Sequence, residues 1–300
     1  MIMTIFFQVV LPVILVFFIG YIVQIWKRMD IKSISTVAIY VMTPALVFRT
    51  FYTAELDLQY LYMVAFSIIL LFSIIVINIL YAKMKRYSKS TESGLILSTA
   101  FMNSGNYGAP IILFAYGEVG FAYSVSFLVL QAIIMNFFGV YYAARGKADI
   151  RVAARSVLEM PATYAVIIAI LLKSTSFEMP SNLFQTIDII ADATIPTVMI
   201  ILGMQLANIK WTKFEWGHIS YGVFVRLILS PLIAFAITLM FPFDPLLAKV
   251  LIVSAAMPSA ATIVMYAVQF DSEPKLVSAI TLVTTIVSIF TITILLAILG

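Results

Sequence analysis

The chain has 300 residues, of which 63% are hydrophobic and 11% charged, with no cysteine and a formal net charge of +4. Soluble domains run near roughly 45–50% apolar and about 25% charged, and a soluble fold of this length would leave much of the excess apolar surface wet. The composition therefore points to a bilayer as solvent. It excludes disulfides and thiolate metal sites, and it gives no reason to invoke nucleic acid.

Apolar runs of about 20 residues are needed to cross roughly 30 Å of hydrocarbon. Ten are found, at 4–25, 33–53, 58–82, 93–116, 119–142, 157–173, 183–208, 218–241, 247–270 and 275–299. The first has no basic residue ahead of it and carries Lys27 and Arg28 behind it. A cleavable leader has the reverse order, so this run is expected to be a retained spanning helix. The connections are short, the longest being Ala143–Ser156. The fold class predicted is all-α integral membrane, with ten transmembrane helices.

Loop charge orients such a bundle. The odd-numbered connections hold 14 of the 18 Lys and Arg residues, including Lys32, Lys85, Arg145, Lys210 and Lys275. The positive-inside rule places these loops in the cytoplasm and both termini outside.

The two halves resemble each other. Pro12 and Pro161, Pro44 and Pro196, and Pro110 and Pro258 stand 149, 152 and 148 residues apart. Five spans is an odd number, so the second copy is expected upside down. The predicted organisation is a first repeat over 1–142, a cytoplasmic linker over 143–156 and an inverted repeat over 157–300. Inverted repeats with broken helices recur in secondary transporters, with the site where the repeats meet.

The fourth span contains Asn103-Ser104-Gly105-Asn106-Tyr107-Gly108-Ala109-Pro110. Two glycines and a proline interrupt a helix, and in lipid the freed backbone groups are tolerated only inside protein or beside a wet cavity. Asn103 and Asn106 supply donors and acceptors there. A half-helix starting near Pro110 would aim its positive dipole end at an anion, and Ala256-Met257-Pro258-Ser259 in the ninth span offers a second such end.

Asp188, Asp192 and Pro196 recur every four residues on one face of the seventh span. Asp192 lies about 13 Å inside at 1.5 Å per residue, and Arg226 reaches a similar depth in the eighth span. Charges at that depth need a partner, water or neutralisation. An Asp192–Arg226 pair is the expected arrangement, either broken during transport or fixed as a pin. Arg49 is read as interfacial, and Asn78, Gln131, Asn136 and Gln205 as interhelical hydrogen-bonding residues. No H-E-x-x-H, G-x-S-x-G or Walker motif occurs, so no enzyme or nucleotide-driven pump is expected.

Ten spans, two inverted halves, Asn-Ser-Gly-Asn-Tyr-Gly-Ala-Pro at 103–110 and Ala-Ala-Met-Pro-Ser-Ala at 255–260 resemble the auxin efflux carrier family. That family includes plant auxin exporters and compact bacterial permeases for malate or malonate. The resemblance implies a fold related to the sodium/bile-acid symporters, with helices 4 and 9 broken and crossing. Helices 3–5 and 8–10 would form a transport domain, and helices 1, 2, 6 and 7 a scaffold able to mediate a homodimer. It carries substrate contact over to Asn103, Asn106, Tyr107, Pro110, Pro258, Ser259 and Thr262, faced by Thr43, Pro44 and Val47. Members with an asparagine shortly after the ninth-helix proline differ from this chain, which has Ser259-Ala260-Ala261-Thr262.

The function expected is alternating-access transport of a small carboxylate across the cell membrane, without cofactor or metal, with coupling to Na+ or H+ left open. A drug/metabolite-type exporter and a non-transporting membrane sensor or assembly subunit are the alternatives. The first usually keeps its termini inside, against the loop charges; the second would move no carboxylate in liposomes.

Overall fold

The computed structural model describes residues 2–54, 57–144, 155, 157–175, 179–208 and 215–300. Most of the linker expected at 143–156, with Arg145, Lys147 and Arg151, lies outside them, as do Lys210 and Lys213.

The described chain is helical: α1 Ile2–Lys27, α2 Ile31–Thr53, α3 Leu58–Lys85, α4 Lys89–Ala100, α5 Ser104–Ala143, α6 Pro161–Ser174, α7 Ser181–Ala207, α8 Trp216–Thr238, α9 Pro245–Ala255, α10 Ala261–Gln269 and α11 Pro274–Leu299. Local chemistry sets where they start. Asp30 accepts hydrogen bonds from the Lys32 and Ser33 amides at 3.1 and 3.2 Å, Asp57 from Gln59, Ser88 from Thr91, and Asp244 from Leu246 and Leu247. Each satisfies amides that the first turn leaves orphaned. Pro161, Pro245 and Pro274 open their helices, where a missing N–H costs nothing.

Seven of these helices, α1, α2, α3, α5, α7, α8 and α11, are long and apolar enough to cross a membrane. The fourth and ninth runs are each broken into two pieces. The sixth is a helix of 14 residues, about 21 Å long at 1.5 Å per residue. The 40-residue α5 turns at Gly117, whose φ of 66° and ψ of −165° are essentially confined to glycine. This turn separates the runs expected at 93–116 and 119–142.

Packing follows residue size. α1 lies against α7 so closely that a Cβ on Gly203 would stand 1.9 Å from the Phe17 carbonyl oxygen, and one on Gly20 would stand 2.2 Å from that of Ile200. Without a hydrophobic drive between helices in lipid, such approach supplies the attraction through dispersion. α2 packs on both α6 and α7, and α3, α8 and α9 pack on one another in turn. Polar side chains tie neighbours together: Asn78 of α3 donates to Thr99 Oγ1 of α4 at 2.8 Å, and Tyr266 of α10 donates to Asn136 of α5 at 2.8 Å. The outer surface carries apolar side chains such as Trp26, Ile189, Phe290 and Ile298.

Candidate functional site: a cavity at the crossing of two broken helices

Between α4 and α5, residues Phe101–Asn103 leave the helical conformation, and between α9 and α10 the chain does the same through Ala260. The two segments run antiparallel. The Asn103 amide donates to the Pro258 carbonyl at 2.8 Å, and the Ala260 amide donates to the Phe101 carbonyl at 3.0 Å, bridging Met102 to Ser259. In a buried apolar setting the groups freed by each break need partners, and here each break supplies them to the other.

The expected start of a half-helix near Pro110 is corrected. α5 starts six residues earlier, with a wide π turn over Ser104–Gly108 in which the Gly108 amide reaches back to the Asn103 carbonyl at 3.0 Å. That widened turn accommodates Pro110 just inside the helix. Gly108 is small because Met257 crosses it: a Cβ there would meet Met257 Cγ at 3.2 Å.

A cavity of about 810 Å3 reaches this crossing, within the range typical of small-molecule sites. Asn103 lines it, is 7% exposed, and makes no side-chain hydrogen bond among the described residues. Ser259 lines it as well; its hydroxyl donates to the Ser98 carbonyl, and its amide donates to Thr284 Oγ1 at 3.3 Å. Further polar residues on the wall include Ser35 of α2, Gln205 of α7 and Ser278, Thr281 and Thr285 of α11. The charged residues on its described wall are Lys32 and Lys275, both exposed cations, and no acidic side chain lines it there.

A second cavity of about 710 Å3 occupies the opposite side, lined by Arg49, Thr53, Glu118, Phe184, Asp192 and Pro196 among others. The first lies at the Lys32 end of α2 and the Asn208 end of α7; the second lies at their other ends, near Thr53 and Phe184.

The expected Asp192–Arg226 pair does not form. Arg49 of α2 pairs with Asp192 of α7 and stands 3.7 Å from Asp188. The reason is packing: α2 lies beside α7, whereas Arg226 points between α4 and α9, where it donates to the Thr99 carbonyl at 2.6 Å and to the Ala255 carbonyl. Arg49 is therefore a cavity residue paired with carboxylates rather than an isolated interfacial cation. The Asp192 side chain is 73% exposed where it borders the second cavity, and in a water-filled cavity such a pair is screened and worth no more than about 1 kcal/mol. Asp192→Asn is expected to shift stability by less than about that amount, measurable by thermal melting in detergent.

The remaining candidate residues are dispersed. Tyr107 is buried, accepts a hydrogen bond from Ser288 at 3.0 Å, and packs on Phe17 with ring centroids 5.2 Å apart, beside a separate apolar cavity. Pro110 and Val47 are buried in the core, while Asn106, Thr262, Thr43 and Pro44 are half-buried and line neither of the two large cavities. Sequence reasoning overlooked Ser278, Thr281 and Thr285, although their spacing of three and four residues is a polar stripe on an apolar helix.

The chain matches the model of a family described as membrane transport protein in two segments, residues 5–157 and 148–296. It is 27% identical to an uncharacterized transporter of Methanocaldococcus jannaschii, over 95% of this chain and 96% of that one. It is 25% identical to an uncharacterized transporter of Methanothermobacter thermautotrophicus, over 94% of each. A proposed malonate transporter of Rhizobium meliloti is 25% identical over 71% of this chain and 68% of its own length.

Proposed function

Because the chain belongs to the auxin efflux carrier family of membrane transport proteins, whose relatives here are transporters and not enzymes, we propose that it carries a small mono- or dicarboxylate across the cell membrane by alternating access. The observation that carries this reading is the unpartnered Asn103 carboxamide in a cavity whose rim bears Lys32 and Lys275. A carboxylate would accept from the Asn103 amide nitrogen, and the two lysines would raise its local concentration at the mouth. The name of the Rhizobium relative agrees with a dicarboxylate.

The broader architecture we propose is two inverted five-span halves with α4–α5 and α9–α10 crossing. The group α1, α2, α6 and α7 serves as scaffold, supported by the glycine-mediated α1–α7 contact and by the packing of α2 on α6 and α7. α3–α5 and α8–α11 would move against it, exposing Asn103 and Ser259 alternately to each side. By the loop charges, the 810 Å3 cavity faces the cytoplasm and both termini lie outside. The scaffold could also pair two copies as a homodimer. Arg49 with Asp188 and Asp192 serves as a fixed pin between α2 and α7, so Asp192→Asn should leave the pH profile of uptake unchanged.

The test is uptake of labelled malonate, malate and indole acetate into proteoliposomes under imposed sodium and pH gradients. Accumulation of at least one above protein-free liposomes is expected. Failure with a broad carboxylate panel would favour a non-transporting membrane subunit.

A further inference from the structure

Arg226 is the largest fully buried side chain among the described residues, at 0% exposure, and it lies in a π turn of α8 over Val225–Leu229. No carboxylate among the described residues stands within ion-pair distance of it. Instead, Nη1 donates to the Thr99 carbonyl at 2.6 Å, and Nη2 donates to the Ala255 carbonyl and to Ser230 Oγ, which itself donates to Ala255 at 2.9 Å. Thr99 lies in the last turn of α4, and Ala255 is the last residue of α9. Both carbonyls belong to the set that a helix C-terminus leaves unsatisfied, and each C-terminus carries about half a negative charge. Two such ends meeting inside the membrane make a cation site without any acidic side chain. In carriers built from inverted repeats, half-helix C-termini and unwound carbonyls are where a coupling cation binds.

We propose that the Arg226 guanidinium is a tethered cation occupying that position. Its planar fork lets one side chain satisfy carbonyls from both broken helices at once, which a point charge cannot do. The consequence is twofold. Arg226 acts as a positioning residue that fixes the angle between α4 and α9, and through the Met102–Ser259 bridge it holds Asn103 and Ser259 in place. It also leaves no vacancy for sodium at the crossing, so substrate movement needs no sodium there. This second consequence rests on the transport reading; the first does not.

The experiment is chemical rescue. Purified Arg226→Ala and Arg226→Lys proteins are melted in detergent with guanidinium at millimolar, sub-denaturing concentration, with sodium, or with choline. Arg226→Ala is expected to melt on the order of 5 °C or more below wild type. Guanidinium should restore part of that loss, and sodium a smaller part, while neither should move the wild-type midpoint. Should Arg226→Ala fail to fold, Arg226→Lys, which retains the charge and loses the fork, is expected to fold, to melt lower than wild type and, with its ammonium in the site, to gain nothing from guanidinium. Wild-type uptake should be the same in sodium as in choline, whereas a sodium-coupled carrier would lose about 5- to 150-fold. Wild-type melting in Arg226→Ala or Arg226→Lys, no gain from guanidinium in Arg226→Ala, or uptake that depends on sodium would overturn the proposal. If no carboxylate is transported, the melting series still decides the role of Arg226. Sodium-driven uptake would leave the transport reading intact and remove the tethered cation.

Discussion

Replacing Gly203 with valine is expected to prevent a stable fold, at a cost of about 3 kcal/mol or more. A Cβ at 1.9 Å from the Phe17 carbonyl oxygen cannot be relieved by a rotamer change, because the obstacle is backbone. α1 and α7 would have to part by more than an ångström, and the dispersion gained by their approach would go with them. Gly20→Val should behave similarly, since its Cβ would meet the Ile200 carbonyl at 2.2 Å. Gly217→Ala provides the control: nothing lies within 4 Å of its Cβ, and its effect should stay within about 0.5 kcal/mol. Thermal melting and size-exclusion profiles in detergent would show the difference. A monodisperse Gly203→Val protein with wild-type melting would contradict this account of the α1–α7 contact.

Asn103→Asp should nearly abolish uptake near neutral pH while leaving the fold in place. The change is isosteric, but it puts a negative charge where a carboxylate is to bind. Two like charges about 4 Å apart repel by about 4 kcal/mol at an effective dielectric constant near 20. Each 1.4 kcal/mol is roughly tenfold in affinity, so a loss of two to three orders of magnitude follows. Protonation removes the charge and leaves a neutral group that can still donate. Uptake by the variant, relative to wild type at the same pH, should therefore recover as pH falls. Equal uptake by variant and wild type near neutral pH would remove Asn103 from the site.

Much of this arrangement is legible in the sequence, for physical reasons that differ by feature. Helix positions follow hydropathy closely: runs expected at 58–82 and 275–299 appear as Leu58–Lys85 and Pro274–Leu299. The breaks were visible because proline, glycine and asparagine mark them. Their exact register was not, since a π turn shifts the start of α5 from Pro110 to Ser104 and no residue type spells a π turn. The depth of Arg226 was readable from its place in an apolar run, but its partners were not. Backbone carbonyls of Thr99 and Ala255 carry no letter of their own, whereas Asp192 is an acidic letter at matching depth. The true partner of Asp192, Arg49, depends on which helices are neighbours, which hydropathy does not encode. In the sequence the lysines of the cavity rim are orientation signals, and only the fold brings Lys32 and Lys275 to one opening.

The most direct test uses the absence of cysteine from the chain. A single Ser278→Cys substitution places a thiol on the wall of the 810 Å3 cavity, at a half-buried position. Its reaction with a membrane-impermeant maleimide can be timed with and without a carboxylate that the protein transports. At about ten times the dissociation constant, binding at the crossing should slow labelling by roughly tenfold, as mass action requires. Labelling at an unchanged rate, in a variant that still transports that carboxylate, would place the substrate elsewhere.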